Sequence, residues 1–233
     1  MLLSKNEELV YRELKKYGFV AFKIKDIRLL FSFSKTKAYN IIKSLKRKKI
    51  IKKVQGFFVF KDANEFVTGC NIHYPSYISF WSALNYYGWS DNMPKKIFLA
   101  TTKYNKGTDS FKYVTLNKNR FFGYIRMGEF AIAEKEKSII DSLLFPKYAG
   151  GMREIRKCLE NGFDELDKKK LIDYALKVES RAVIRRLGFL LENLGYKKVE
   201  QLRKHIGSGY EYLDSSLKKK NMFDKKWLLD INW

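Results

Sequence analysis

Across residues 34–47 the apolar side chains Ala38, Ile41, Ile42 and Leu45 fall at i, i+3, i+4 and i+7, the stripe of one helix face. Ser34 stands at the start as an N-cap, its hydroxyl placed to accept from an amide of the first turn. With each residue turning the helix by about 100°, the opposite face carries Thr36, Asn40, Lys43 and Arg47, with Lys35, Lys37 and Tyr39 beside them. Two short β-type segments follow, 50–54 and 57–60, around Gln55-Gly56, where glycine accepts the positive φ of a tight turn. Upstream, residues 6–17 set Leu9, Val10 and Leu14 on one side and stop at Gly18. Residues 19–22 read as a short strand, and 24–31 return to helical spacing with Ile27, Leu30 and Phe31. Helix, short strand, helix, turn, helix and two-stranded wing is the order of a winged helix-turn-helix.

The period weakens over 62–71, which is expected to be a boundary. Residues 75–88 then predict one helix, opened by Pro75 and closed by Gly88, whose aromatic stripe of Tyr77, Phe80, Trp81 and Leu84 belongs in a core. Strands are predicted at 97–101, 114–116, 121–125 and 130–133, and helices at 134–144, 152–161, 168–178, 180–194 and 199–206. A last strand is expected within 227–233. The fold class is therefore α+β. A winged helix-turn-helix at 1–61 precedes a mixed α+β domain at 72–233 with a small sheet and several helices.

Charge sharpens this picture. The 233 residues carry a net +22, and residues 1–60 alone hold 16 Lys/Arg against four Asp/Glu. A lysine-rich chain accounts for the background but not for this density, which is the footprint of a polyanion binder. Double-stranded DNA is the expected partner, contacted by Ser34, Lys35, Thr36, Lys37, Tyr39, Asn40, Lys43 and Arg47 on the helix and by Lys52 and Lys53 in the wing. A merely solvated basic helix is the plain alternative. Against it, the small uncharged side chains Thr36 and Asn40 sit among the cations where a solubility face would mix in Glu.

Other chemistries find little support. Two cysteines, Cys70 and Cys158, and two histidines, His73 and His205, assemble no zinc cluster of ordinary spacing. No metal or cofactor is expected. No window approaches 18 uninterrupted apolar residues and charge follows Met1-Leu2-Leu3, so no membrane partner and a cytoplasmic location are expected. Glu134, Glu136 and Asp141 lie on or near one helix, yet no further acids or strand lysine at nuclease spacing accompany them. Glu136 and Lys137 are expected in exposed or interdomain ion pairs. Arg181, Arg185 and Arg186 either contact an acidic partner or phosphate, or, for Arg186, form an internal salt bridge. An enzyme of nucleic-acid or phosphoryl transfer carrying a winged helix stays open as the alternative to a non-enzymatic DNA binder.

Several stretches together resemble the AbiEi family of antitoxins from type IV toxin–antitoxin (abortive infection) systems. They are YPSYISFWSALNYYG at 74–88 followed by Met93-Pro94, the helix at 133–144 with Glu136-Lys137 and Asp141, Arg186-Leu187-Gly188-Phe189-Leu190-Leu191, Tyr212-Leu213-Asp214, and the closing segment from Lys226-Trp227 to Asn232. The resemblance implies an N-terminal winged helix that binds inverted repeats in its own promoter and represses it. It implies a C-terminal domain that neutralises a cognate nucleotidyltransferase-like toxin. With no heptad stretch in the chain, a monomer that pairs on DNA is expected.

Overall fold

The computed structural model describes residues 2–233, and the chain divides into two compact units between Tyr74 and Pro75. The architecture is mixed α+β.

The first unit runs α1 (Lys5–Lys16), β1 (Ala21–Phe22), α2 (Ile24–Phe31), α3 (Lys35–Arg47), β2 (Ile51–Val54), β3 (Phe57–Phe60) and α4 (Glu65–Ile72). Its three strands pair antiparallel in the order β1-β3-β2, with Lys52 opposite Val59 and Lys53 opposite Phe58. Gln55 and Gly56 turn the β2–β3 hairpin with φ of 46° and 82°, the doubly positive pair that a two-residue hairpin requires. Val10, Leu14, Ile27, Ala38, Ile41, Ile42 and Leu45 from the three helices close over Phe22, Ile51, Phe58 and Phe60. Leu9 and Leu30 fall outside this core, exposed where the sequence pattern had grouped them with the buried stripes. Glu7 takes the inward position instead, one turn before the Val10–Leu14 stripe. The segment read as a boundary contains α4, capped by Asn64 through Phe66 N–H at 2.8 Å, and the division falls after it. With Gly69 and Cys70 in its middle, this short helix shows almost no amphipathic period.

The second unit opens with β4 (Ser76–Ile78) and α5 (Phe80–Tyr86), followed by β5 (Ile97–Thr101), β6 (Phe111–Thr115), β7 (Tyr124–Met127) and β8 (Phe130–Ala133). Helices α6 (Lys135–Leu144), α7 (Met152–Asn161), α8 (Lys168–Lys177), α9 (Arg181–Asn193) and α10 (Glu200–Arg203) come next. A small sheet closes it: β9 (Glu211–Tyr212), β10 (Phe223–Asp224) and β11 (Leu229–Asp230). The main sheet has the order β6-β5-β4-β8-β7. Its central strand β4 occupies residues expected to be helical. Ser76, Tyr77 and Ile78 pair with Thr101, Ala100 and Leu99 on one side, and Ile78 with Ile132 on the other, so ladder hydrogen bonds outweigh a helical spacing of aromatics. Phe80, buried at φ 54°, makes the sharp corner from strand to helix. The stripe is core, as expected, except that Trp81 is only partly covered.

Helix α9 carries the unit's longest buried stripe, Val183, Leu187, Leu190 and Leu191. Beside it, Gly188 leaves room for the outer edge of the Trp227 six-membered ring, which lies against that spot. A Cβ on Gly188 would meet the indole at 2.1 Å, and the indole Nε1 donates to Glu192 one turn further along, at 2.9 Å. The Arg-Leu-Gly and Lys-Trp stretches of the sequence are thus the two halves of one contact.

Candidate nucleic-acid interface

Helix α3 is fixed from below and bare above. Ser34 Oγ accepts from Lys37 N–H at 3.2 Å, the expected cap, and Ala38, Ile41, Ile42 and Leu45 are buried. Thr36, Asn40, Lys43 and Arg47 are exposed along the opposite face, as are Lys35, Lys37 and Tyr39 beside them. Two open hollows flank this ridge. One of about 470 Å³ lies towards Ser4, Asn6, Ser34 and Thr36, and one of about 570 Å³ lies towards Lys43, Lys46 and Arg47. Asn40 borders both.

The electrostatics favour an anion. Helix α3 contains no Asp or Glu. Among the described residues, Lys35, Lys37, Lys43, Lys46 and Arg47 form no ion pair, while Lys37 Nζ stands 3.8 Å over the Phe33 ring. Glu7, which lines the same hollow as Lys37 and Asn40, is already committed. Lys48 reaches it at 2.6 Å in a mostly buried pair, and this contact, with Ser44 assisting, holds the Glu7 carboxyl down at about 2. Lys48 is thereby turned inward, and its neighbours face out. In the hairpin, Lys53 is exposed, whereas Lys52 lies 3.5 Å from Glu65 of α4, so its charge is partly matched. Lys46 joins the exposed set although the sequence reading passed over it; its angular position, beside Lys43 and Tyr39 on the helix, was the available signal.

The expected sites of the second unit come out differently. Arg185 and Arg186 are buried, which corrects the partner-facing reading of Arg185 and places Arg186 inside, on carbonyls rather than in a salt bridge. Arg185 donates to the carbonyls of Ile206 at 2.6 Å and Ser208 at 2.9 Å, and Arg186 to those of Leu143 at 2.7 Å and Tyr212 at 3.1 Å. They tie α9 to the chain around it. Arg181 remains exposed.

The acids of α6 are likewise engaged. Glu136 and Lys137 are buried rather than exposed, because α6 packs against the sheet and against α8 and α9. Lys137 pairs with Asp141, both wholly buried, and its ammonium donates to Tyr77 OH at 3.1 Å. Asp141 accepts from Tyr77 OH at 3.0 Å and from Ser79 Oγ at 2.8 Å. Burial and the adjoining Asp141 carboxylate push the Tyr77 phenol well above its ordinary range. Lys170 bridges Glu134 at 3.2 Å and Glu136 at 3.3 Å. No group of three or more His, Cys, Asp or Glu placed to hold a metal ion occurs among the described residues. No helix among them is long and apolar enough to cross a membrane.

No family model and no curated protein matches this chain. Among solved structures, it is similar to the crystal structure of the RV2827C protein from Mycobacterium tuberculosis, with a TM-score of 0.67 at 12% identity. The likeness covers 98% of this chain and 92% of that one. At that identity the two share a fold.

Proposed function

We propose that this protein is a DNA-binding antitoxin of the AbiEi type. Its first unit is a winged helix-turn-helix that represses its own operon at an inverted repeat, and its second unit neutralises a cognate nucleotidyltransferase-like toxin. The observation that carries the DNA reading is the α3 ridge, whose cations lack carboxylate partners and whose uncharged tips, Thr36 and Asn40, stand between them. A helix with its side chains is about 10–12 Å across and the B-form major groove about 12 Å wide, so such a ridge fits with its side chains at the base edges. The order of elements in the first unit and the doubly positive turn of its hairpin support the wing. The toxin-neutralising role rests on the family resemblance.

The test is fluorescence anisotropy of the full chain on duplexes selected from a random pool, together with a random duplex as reference. Asn40→Ala loses about 1–3 kcal/mol on the selected site and little on the random one. Lys53→Ala weakens both alike and lowers the salt slope by about one unit. Equal loss on both duplexes for Asn40→Ala removes it as a reader. Co-expression with a neighbouring nucleotidyltransferase gene tests the second role by cell survival.

A further inference from the structure

Strand β7 ends the main sheet, and all four of its residues are exposed: Tyr124 at 44%, Ile125 at 41%, Met127 at 41%, and Arg126. It holds neither a proline nor a bulge, and of the usual guards of a free edge it has only its short length and the single charge of Arg126. The direction of its backbone groups follows from the ladder. Gly123 O accepts from Glu134 N–H at 2.9 Å and Tyr124 lies opposite Ala133, so Gly123, Ile125 and Met127 bond to β8. The amides and carbonyls of Tyr124 and Arg126 therefore point outward, where no strand lies.

We propose that this edge is a self-docking surface, on which two copies of the chain pair β7 to β7 antiparallel about a two-fold axis through Ile125. The choice of register is a matter of counting. With the axis at Ile125, Tyr124 of each copy faces Arg126 of the other, and both outward pairs bond, giving four main-chain hydrogen bonds. With the axis at Arg126 or at Tyr124, only one pair of residues within the strand bonds, and the former sets two guanidinium groups face to face. The favoured register also places each Arg126 beside the Tyr124 ring, a cation–π partner. That ring is already held in place, stacked on Tyr77 at 4.8 Å and 15°, with only Ala131 and Ala133 of β8 occupying that face between them. Ile125 meets its own copy on the other face.

The contact is small. Four residues a side fall far short of the roughly 1,200 Å² that stable complexes bury, and a net +22 on each copy opposes approach. Pairing is therefore weak in free solution, strengthens with salt, and gains most when something else holds two copies together. This surface does not depend on what the first unit binds.

Disulfide trapping of the full-length chain tests it. In the proposed register the two Ile125 residues form a non-hydrogen-bonded pair with Cα atoms about 4.5 Å apart, close enough to bridge. Ile125→Cys under a mild oxidant gives a covalent dimer at least about tenfold faster than Thr115→Cys, an exposed position on the opposite edge strand β6. Both native cysteines are buried and leave the background low. Adding Arg126→Pro to Ile125→Cys removes one outward donor without touching the β8 ladder, and slows trapping to the Thr115→Cys rate. Arg126→Lys keeps the donor and preserves most of the rate, and circular dichroism confirms that each variant is folded. Equal trapping at the two edges overturns the proposal, as does trapping that Arg126→Pro leaves unchanged in a folded variant, or trapping that slows as salt is raised.

Discussion

Replacing Asp141 by Asn tests the buried centre of the second unit. The substitution keeps size and hydrogen-bonding capacity but leaves the Lys137 ammonium without a counter-charge, under the Phe122 ring at 4.9 Å and with Tyr77 OH at 3.1 Å. Two unit charges about 4 Å apart attract by about 4 kcal/mol at an effective dielectric of 20, and breaking a buried pair by removing one partner costs about 3–5 kcal/mol. Lys137→Met strands the carboxylate instead, although Tyr77 and Ser79 still donate to it, so a smaller loss of about 2–3 kcal/mol is expected. Combining the two removes both charges, and a coupling of about 3 kcal/mol brings the double variant close to Asp141→Asn alone rather than to the sum of the singles. All four tryptophans lie in the second unit, so indole fluorescence in urea follows that unit alone. At an m-value of about 2 kcal/mol/M, the Asp141→Asn midpoint falls by about 2 M. A double variant as damaged as the sum of the singles, or an Asp141→Asn loss under about 1 kcal/mol, refutes the reasoning.

Gly188→Ala in α9 should destabilise by about 1–3 kcal/mol or more through its clash with Trp227, although alanine in an open helix gains about 1 kcal/mol over glycine. Urea midpoints followed by indole fluorescence read it. The Glu7 carboxyl sits at about 2 instead of 4.5 because Lys48 and Ser44 bond its ionised form, so its contribution of about 2–3 kcal/mol is whole above pH 4.5 and is lost as pH falls towards 2. Acid unfolding of the first unit, followed by the amide NMR signals of its core residues Val10, Leu14 and Leu45, should lose that dependence in Glu7→Gln. In DNA binding, Lys52→Ala should cost less than Lys53→Ala, because Glu65 already offsets Lys52; salt slopes of the two variants decide it.

The exposed basic helix α3 could be read from the sequence because amphipathic period, cap and charge all act locally, and Ser34, Ala38 and Asn40 each answer to neighbours within a turn or two. Strand β4 could not, because what makes it a strand is the ladder to Leu99–Thr101 and Ile132, some 20 to 50 residues away. The same holds for Arg185, Arg186 and Lys137. On a helical wheel they resemble surface cations, and only the carbonyls and the carboxylate that receive them explain why they are inside. Lys48 shows the reverse: among the basic residues 46–49 it is singled out by one acid 41 residues earlier.

The notch at Gly188 should delay closure of the second unit during synthesis. The first unit is closed by contacts within its own 74 residues, so it can fold as soon as α4 clears the ribosome. The second cannot. Its helix α9 lacks the Trp227 plug until some 40 further residues have been made, and Asn232 must still reach back to Asp214 N–H, at 2.8 Å. For that interval the nascent chain carries a finished basic head and an unsealed second core, and a product cut short before Trp227 would combine a folded α3 ridge with an aggregation-prone remainder.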